Sequence, residues 1–369
     1  MTYEAGYSSF LSNLYLLREK EWFPLSAKNR IKNYDLLTYE AVFRQLQDDY
    51  WKSDSIISGY KKEKAGFDGE KNVDYKLSTY PQKNFFSFLG IRLPNPPFHF
   101  QIDTLILTRK LIYILEVKNY QGKFQYDSKL QQLTQEVDGK ITAYKDPILQ
   151  AEAQKTHLRQ WLEKHGVYNV PIETLVVIAF PSTIIENIHQ DPEIYKKIIH
   201  SESLHQHLNR LSETYTKDIL TTSTIRKLTK ALLHEDQPLR TNILDYNNLC
   251  EQQLIKGVPC EKCNHSPMLR LYKKWLCPRC KATAVKAHER KILDYFLLHG
   301  DIISNKQCRE LLQVGPRTAY TILNSMNLSH KGNNSARKYY SPSLNEFPQN
   351  SYLPTNRQRH MLLSNLRIK

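Results

Sequence analysis

Long apolar runs are what this 369-residue sequence most clearly lacks. No stretch approaches the roughly 18–20 continuous apolar residues that a membrane-spanning helix needs. The first residues, MTYEAGYSSF, also lack the basic stretch and apolar segment of a secretory leader. The sequence therefore predicts a cytoplasmic protein with no membrane partner.

Cysteine is scarce too, and six cysteines in 369 residues exclude the disulfide scaffold of a small secreted domain. Four of them form the C-x-x-C pairs Cys260/Cys263 and Cys277/Cys280, with 13 residues between the pairs. Four thiolates complete a closed tetrahedral site, which is the structural form of zinc binding. The sequence therefore predicts a zinc ribbon, with four unrelated thiols or two redox pairs as the alternative.

The remaining residues near this motif have plainer interpretations. Cys250 and Cys308 lie outside both pairs and are expected to be ordinary buried cysteines. His265 is expected at the surface, with a role as a metal ligand as the alternative, and Trp275 is expected in the small core of the ribbon.

Acidic residues are depleted in the C-terminal third. Residues 256–369 hold 20 Lys/Arg against 6 Asp/Glu, whereas residues 1–255 hold 32 against 31. Of the net charge of +15, the balance is therefore +14 in the C-terminal part and +1 before it. A solubility bias would explain such a region, but a surface that binds a polyanion, most commonly nucleic acid, explains it better.

Apolar periodicity predicts the order of elements. Helices are expected around residues 10–17 and 39–46 and from residue 65, where Val73 and Leu77 share one side. Strand-like runs follow at 84–93, 98–108, 111–118 and 130–137. A helix over 147–165, with Pro147 in its first turn, and a buried strand over 172–180 come next. Residues 190–245 are predicted to be helical and polar.

The stretch QIDTLILTRKLIYILEVKNYQG at 101–122 places charge within apolar runs. In a hairpin of strands 102–108 and 111–118, opposed residue numbers sum to 219, so that Asp103 faces Glu116. Two opposed carboxylates are destabilising unless positive charge lies between them. Lys118 shares their face, and Mg²⁺ or Mn²⁺ would suit the oxygen ligands. The alternatives are a register slipped by one residue, or simple pairing of the acids with Lys118 and Arg92.

Four short motifs together resemble the nuclease-related domain (NERD), a branch of the PD-(D/E)XK restriction-endonuclease-like superfamily. They are GE at 69–70, QID at 101–103, EVK at 116–118 and PILQ at 147–150, and the resemblance covers about residues 64–185. No proline directly precedes Asp103, which departs from the superfamily pattern. The resemblance implies an α/β (α+β) fold with an αβββαβ core.

The resemblance also implies metal-dependent hydrolysis of phosphodiester bonds. Asp103, Glu116 and the backbone carbonyl of Val117 would hold Mg²⁺ or Mn²⁺. Lys118 would orient the attacking water and stabilise charge on the phosphorane. Glu70 would complete the shell of the metal, and Gln150 would position Lys118 or the scissile phosphate.

Beyond Cys280, three short helices and a hairpin are predicted, which resemble a helix-turn-helix with a wing. Ser304 is expected to cap the second helix, and Pro316 to lie in the first turn of the third. A generic three-helix unit is the alternative. The residues expected to contact nucleic acid are Lys273, Lys274, Arg317, Thr318, Tyr320, Arg337 and Lys338.

These predictions divide the chain into six segments and favour a DNA nuclease. The segments are a helical N-terminal segment (1–62), the NERD domain (63–188), a helical connector (189–250), the zinc ribbon (251–284), a winged-helix-like domain (285–344) and a mobile basic tail (345–369). An inactive NERD scaffold serving as a DNA-binding regulator or adaptor is the alternative. RNA is a third possibility as the substrate.

Overall fold

The computed structural model describes residues 25–82, 84–350, 353–354 and 357–358. The helix expected around 10–17 lies outside these residues. The chain divides into two compact units. Of the described residues, the first unit combines those from 25 to Arg30 with those within Ala65–Pro238, and the second combines Ile31–Lys64 with those from Leu239 onward.

Helices and strands are numbered in chain order. The α-helices are α1 (Tyr34–Gln45), α2 (Asp54–Ser78), α3 (Pro147–Lys164), α4 (Pro192–Lys197), α5 (Leu204–Thr214), α6 (Thr222–Glu235), α7 (Ile243–Tyr246), α8 (Ala287–His299), α9 (Asn305–Leu312) and α10 (Pro316–Ser325). The strands of the first unit are β1 (Leu25–Lys28), β2 (Phe86–Asn95), β3 (Phe98–Leu107), β4 (Ile112–Lys118), β5 (Gly122–Asp127), β6 (Gln132–Val137), β7 (Lys140–Tyr144), β8 (Ile172–Ile178), β9 (Thr183–Asn187) and β10 (Ile198–His200). Those of the second are β11 (Leu269–Leu271), β12 (Lys274–Leu276), β13 (Thr283–Ala284), β14 (Ile302–Ser304), β15 (His330–Lys331) and β16 (Lys338–Tyr340).

The described part of the first unit is built on a six-stranded sheet in the order β1-β2-β3-β4-β8-β10. The central strands β2, β3 and β4 are antiparallel neighbours, whereas β8 pairs parallel with β4. The crossover between β4 and β8 contains α3, as parallel pairing requires. The predicted order of helix, strands, helix and strand is confirmed, and this is the restriction-endonuclease-like arrangement.

Alternation along the strands sends side chains to opposite faces of this sheet. Ile112 and Ile114 pack in one apolar cluster with Leu158 of α3, whereas Tyr113 and Leu115 pack in another with Val73 of α2. The helix α3 therefore covers one face of the sheet, and the end of α2 covers the other. Asp146 caps α3, and Pro147 lies in its first turn as predicted.

Several elements of this unit were not expected from the sequence. A second sheet in the order β7-β6-β5-β9 includes strands at 122–127, 140–144 and 183–187. Within the segment predicted to be wholly helical, β10 instead pairs parallel with β8. Both β1 and β10 are short edge strands, whose few residues leave little periodicity to detect.

The second unit combines α1 with the C-terminal elements around one apolar cluster. The hairpin of β11 and β12 is extended by β13, and the sheet of β14, β16 and β15 follows. Helices α8, α9 and α10 occur as predicted, with Ser304 capping α9 and Pro316 in the first turn of α10. No helix among the described residues has the length and apolar character needed to span a membrane.

Part of the segment 345–369, which was predicted to be a mobile basic tail, packs into the second unit. Phe347, Leu353 and Arg357 are buried. The Arg357 guanidinium donates hydrogen bonds to the main-chain oxygens of Phe43 and Leu46. The basic composition of this segment gives no signal for these buried contacts. Residues 359–369 lie outside the described part of the chain.

Candidate active site and zinc-binding cluster

The register of the β3–β4 hairpin decides which side chains meet. Thr104 lies opposite Leu115, and Leu107 lies opposite Ile112, so opposed numbers sum to 219 as predicted. A slip by one residue is thereby excluded. Asp103 and Glu116 directly follow the pair Thr104 and Leu115 at the same end of the hairpin. The Asp103 carboxylate accepts a 2.9 Å hydrogen bond from the backbone N–H of Val117.

Glu116 is more buried than Glu70 and Asp103, with 1% of its surface exposed. Its Oε1 lies 2.6 Å from the ammonium of Lys118, which also lies 2.9 Å from Oε1 of Gln150. Its Oε2 accepts a 2.6 Å hydrogen bond from Nε2 of Gln154. The pairing of Glu116 with Lys118 was one of the alternatives, whereas Arg92 donates elsewhere, to the carbonyl of Gln237.

Glu70 approaches the same end of the sheet from α2. Its neighbour Gly69 makes this approach possible, because a Cβ there would lie 2.7 Å from Cβ of Asn119. Asn119 in turn donates a 2.8 Å hydrogen bond to the carbonyl of Ala65 in the same helix. The Glu70 carboxylate is paired with the guanidinium of Arg30, a residue that belongs to none of the sequence motifs.

One family model matches the chain, that of the nuclease-related domain, over residues 65–179. This segment is a nuclease-related domain. The matched residues make up less than one third of the chain and contain Glu70, Asp103, Glu116, Lys118 and Gln150. A comparison with curated proteins finds no match, and neither does a comparison with solved structures. The match relates this segment of the first unit to nucleases.

Burial and repulsion from neighbouring carboxylates shift the pKa values of Glu70, Asp103 and Glu116. Burial, together with the Asp103 carboxylate, raises the pKa of Glu116 to about 7. The same two causes raise the pKa of Glu70 to about 8, although Arg30 opposes the shift. Burial also raises the pKa of Asp103. Burial alone would lower the pKa of Lys118, but the neighbouring acidic groups, Glu116 first among them, together outweigh it and the pKa is raised.

Two neighbours of the acidic site were missed for different reasons. Gln154 follows Gln150 by four residues, so both lie on one face of α3, and this spacing could have identified it. Arg30 lies 73 residues before Asp103 and outside the matched segment, and no local pattern connects the two. It was placed here by the pairing of β1 with β2.

The predicted cysteine cluster is assembled in the second unit. The four Sγ atoms of Cys260, Cys263, Cys277 and Cys280 all lie within 4.8 Å of one another. The cross-pair distances Cys260–Cys280 and Cys263–Cys277 are 3.6 and 3.5 Å. Tetrahedral zinc with bonds of ~2.3 Å would separate its sulfurs by about 3.8 Å, so the four thiols suit a structural zinc ion.

Both C-x-x-C pairs adopt the same local conformation. Asn264 and Lys281, each directly after the second cysteine of its pair, have φ of 57° and 59°. Their backbone N–H groups return to the carbonyls of Cys260 and Cys277 over 2.8 and 3.0 Å. A positive φ is unfavourable for most non-glycine residues. Here it lets the backbone turn back after each C-x-x-C pair, so that both thiols of the pair point towards one centre.

The remaining cysteine and aromatic predictions have mixed outcomes. Trp275 and Cys308 are buried as expected, but Cys250 is exposed, so its prediction as a buried cysteine is wrong. The error arose because cysteine is usually buried, whereas here residue 250 precedes a surface 3₁₀ turn. His265 is partly buried rather than fully at the surface.

The residues predicted to contact nucleic acid lie in two groups in the second unit. Lys273 and Lys274 are exposed at the ribbon hairpin, and Arg317 and Tyr320 are exposed on α10. Thr318 and Arg337 are partly buried, and Lys338 is exposed on β16. The guanidinium of Arg337 lies 5.8 Å from the ring centre of Tyr320, which brings the hairpin and α10 together. Their contact with nucleic acid stays a prediction.

Proposed function

We propose that the chain is a metal-dependent nuclease that hydrolyses DNA phosphodiester bonds. The observation that supports this most directly is the convergence of Asp103, Glu116 and Lys118 at one end of the β3–β4 hairpin. A buried carboxylate beside a second carboxylate and an ammonium is costly to maintain for structure alone. Such groups cluster where chemistry requires them.

The acidic donors fit Mg²⁺ or Mn²⁺, which favour oxygen ligands. Asp103, Glu116 and the backbone carbonyl of Val117 would hold the ion. Both carboxylates have a pKa raised by burial, and Asp103 raises that of Glu116 further, which supports this fit because a divalent cation would offset the repulsion. When bound, the ion would polarise a phosphate oxygen and lower the pKa of a water molecule.

Lys118 has a separate task in this proposal. Because the Glu116 carboxylate raises its pKa, Lys118 remains an ammonium at neutral pH and does not act as a base. The contacts with Glu116 and Gln150 hold its Nζ in one place. A fixed ammonium is suited to orienting the attacking water and stabilising the charge that develops on the phosphorane.

The C-terminal part of the chain would hold the nucleic acid. The domain that contains the acidic site belongs to the part with a balance of only +1, so a separate basic surface would provide the affinity. We infer that the zinc-binding hairpin and the winged-helix-like elements provide this surface through Lys273, Lys274, Arg317, Thr318, Tyr320, Arg337 and Lys338. Basic side chains beside aromatic rings suit phosphate contact and base stacking.

Cleavage of plasmid and linear DNA tests the proposal. Zinc-loaded full-length protein would be incubated with Mg²⁺, Mn²⁺ or no added divalent cation, beside Asp103→Asn and Glu116→Gln. Glu136→Gln is the matched control, since Glu136 is an exposed acid on β6 of the same domain. Metal-dependent cleavage that is lost in both site variants and kept in the control supports the nuclease.

Two other outcomes distinguish the alternatives. If wild type and variants bind DNA equally and none cleaves it, the nuclease is rejected and the DNA-binding regulator takes its place. Competition among duplex DNA, single-stranded DNA and RNA identifies the polymer, and preferential binding and cleavage of RNA would overturn DNA as the substrate.

A further inference from the structure

Arg30 brings a buried positive charge to the acidic site from a distant part of the sequence. It lies two residues beyond β1, the strand that pairs parallel with β2 at the edge of the sheet. Only 5% of its side chain is exposed. Gly90 of β2 leaves room for it, since a Cβ there would lie 3.3 Å from Nη1 of Arg30 and the φ of Gly90 is +68°.

The guanidinium of Arg30 is almost fully engaged by groups around the site. Its Nε and Nη2 donate to the two oxygens of Asp74 over 2.6 and 3.0 Å, and its Nη1 donates to Glu70. The same Nη2 donates to the backbone carbonyl of Asp103 over 2.8 Å and to Oγ1 of Thr104 over 3.1 Å. Because the guanidinium is planar and each of its nitrogens donates a hydrogen bond, it holds these partners in fixed positions.

Glu70 and Asp74 lie one helical turn apart on α2, the helix that covers the sheet face opposite α3. Glu116 is on the face of α3, because Gln154 of that helix donates to it. A metal cage needs three or more His, Cys, Asp or Glu side chains with their ligand atoms close together. Among the described residues, the cysteine cluster is the one group in which such atoms all lie within 4.8 Å of one another. Glu70, Asp103 and Glu116 therefore do not form a three-carboxylate cage.

The charges of the site indicate how many cations it can take. Four carboxylates, those of Glu70, Asp74, Asp103 and Glu116, share the two cations that form ion pairs within the site, Arg30 and Lys118. With every group ionised, the excess is two negative charges, which equals the charge of one divalent cation.

We propose that Arg30 is a positioning residue that commits Glu70 and Asp74 to an ion-pair cluster, so that the site takes a single divalent cation on Asp103 and Glu116. Glu70 is then not a metal ligand, in contrast to the role that the family resemblance implies for it. The hydrogen bond from Arg30 to the carbonyl of Asp103 also fixes the backbone that presents the Asp103 carboxylate. This inference rests on the proposed metal site of the nuclease.

Removal of Arg30 has a consequence that a merely structural role would not produce. Without the guanidinium, the excess rises to three negative charges, and Glu70 and Asp74 are released to bind cations. We expect Arg30→Met to bind a second Mn²⁺ ion per chain, whereas Arg30→Lys, which keeps the charge, retains one.

The test is a calorimetric titration of the zinc-loaded full-length protein with Mn²⁺, supported by electron paramagnetic resonance of the bound ion. Wild type should bind one Mn²⁺ ion. Glu70→Gln should bind it within about threefold of the wild-type affinity, whereas Glu116→Gln should weaken binding at least about tenfold. Glu136→Gln is again the control for the removal of one acid.

The possible failures can be told apart. If Glu70→Gln weakens Mn²⁺ binding as much as Glu116→Gln does, or if wild type binds two ions, the inference is overturned while the metal site itself stands. A single ion at wild-type affinity in a folded Arg30→Met protein also overturns it. If wild type binds no Mn²⁺, the proposed function fails as well. Should Arg30→Met not fold, the comparison of Glu70→Gln with Glu116→Gln decides the question.

Discussion

Gln154 donates a 2.6 Å hydrogen bond from its Nε2 to Oε2 of Glu116, in a buried part of the first unit. No donor among the described residues reaches the other amide atom, Oε1. The amide is therefore oriented by Glu116, because the flipped orientation would place two oxygens against each other. Lys118 holds the second oxygen of the same carboxylate, so both oxygens of Glu116 are fixed from opposite sides.

We expect Gln154→Ala to weaken Mn²⁺ binding by roughly 10–100-fold, since groups that orient a metal-binding carboxylate carry effects of this size. The buried Oε2 also loses its donor, which should lower the free energy of unfolding by about 1–3 kcal/mol. Calorimetric titration and urea unfolding measure the two effects. Gln160→Ala is the control, because Gln160 lies on the exposed side of α3 and bonds to Asn95. Equal Mn²⁺ affinity in the two variants would contradict the prediction.

We expect Cys277→Ser to lose the zinc ion and to lower the unfolding temperature of the second unit by at least about 10 °C, because binding of a structural zinc stabilises the fold that surrounds it. Elemental analysis and calorimetry measure the two quantities. Cys250→Ser is the control, since Cys250 is exposed and lies outside the cluster. Full zinc content in Cys277→Ser would show that the cluster does not depend on its four thiols.

We expect Arg337→Ala to weaken DNA binding and to make the slope of log K against log salt less negative by about 0.9, the value for one phosphate contact. Its contact with the ring of Tyr320 would also be lost. Filter binding at several salt concentrations measures the slope. Lys230→Ala removes an exposed charge from α6 in the first unit and should leave the slope unchanged. The same slope for Arg337→Ala and wild type would remove Arg337 from the proposed DNA surface.

His288 predicts a pH dependence of stability. It is buried beside Trp275, whose Nε1–H donates to its Nδ1 over 3.0 Å, and burial lowers the pKa of His288 to about 4 from 6.5. A folded pKa below the unfolded one means that the unfolded state binds more protons between these values. The associated stability is therefore present above pH 6.5 and is lost as the pH falls towards 4.

We expect a change from pH 7 to pH 5.5 to cost the wild type about 1 kcal/mol more than it costs His288→Gln, which cannot gain this proton. The Gln amide oxygen can accept the bond from Trp275, so the variant keeps that contact. Urea unfolding of the zinc-loaded proteins at the two pH values measures the difference. An equal loss in both proteins would mean that His288 titrates normally.

The sequence alone predicted the parts of the site that follow from local rules. The two-residue turn at Arg109 and Lys110 determined the register that brings Asp103 beside Glu116, and strand alternation placed Lys118 with them. The spacing of the C-x-x-C pairs predicted the cluster of four thiols, and Pro147, Ser304 and Pro316 correctly marked helix starts. Each of these signals acts over a few residues.

Tertiary structure decided which charges meet. Arg30 reaches Glu70 and Asp74 because the four-residue edge strand β1 pairs with β2. A strand of this length is too short for its pairing to be predicted from the sequence pattern. Likewise, packing of α2 and α3 on opposite faces of one sheet separates Glu70 from Glu116, although the motifs suggest a single set of ligands. Local patterns determine where a side chain points from its own element, but the partner of a buried charge depends on which distant elements pack against it.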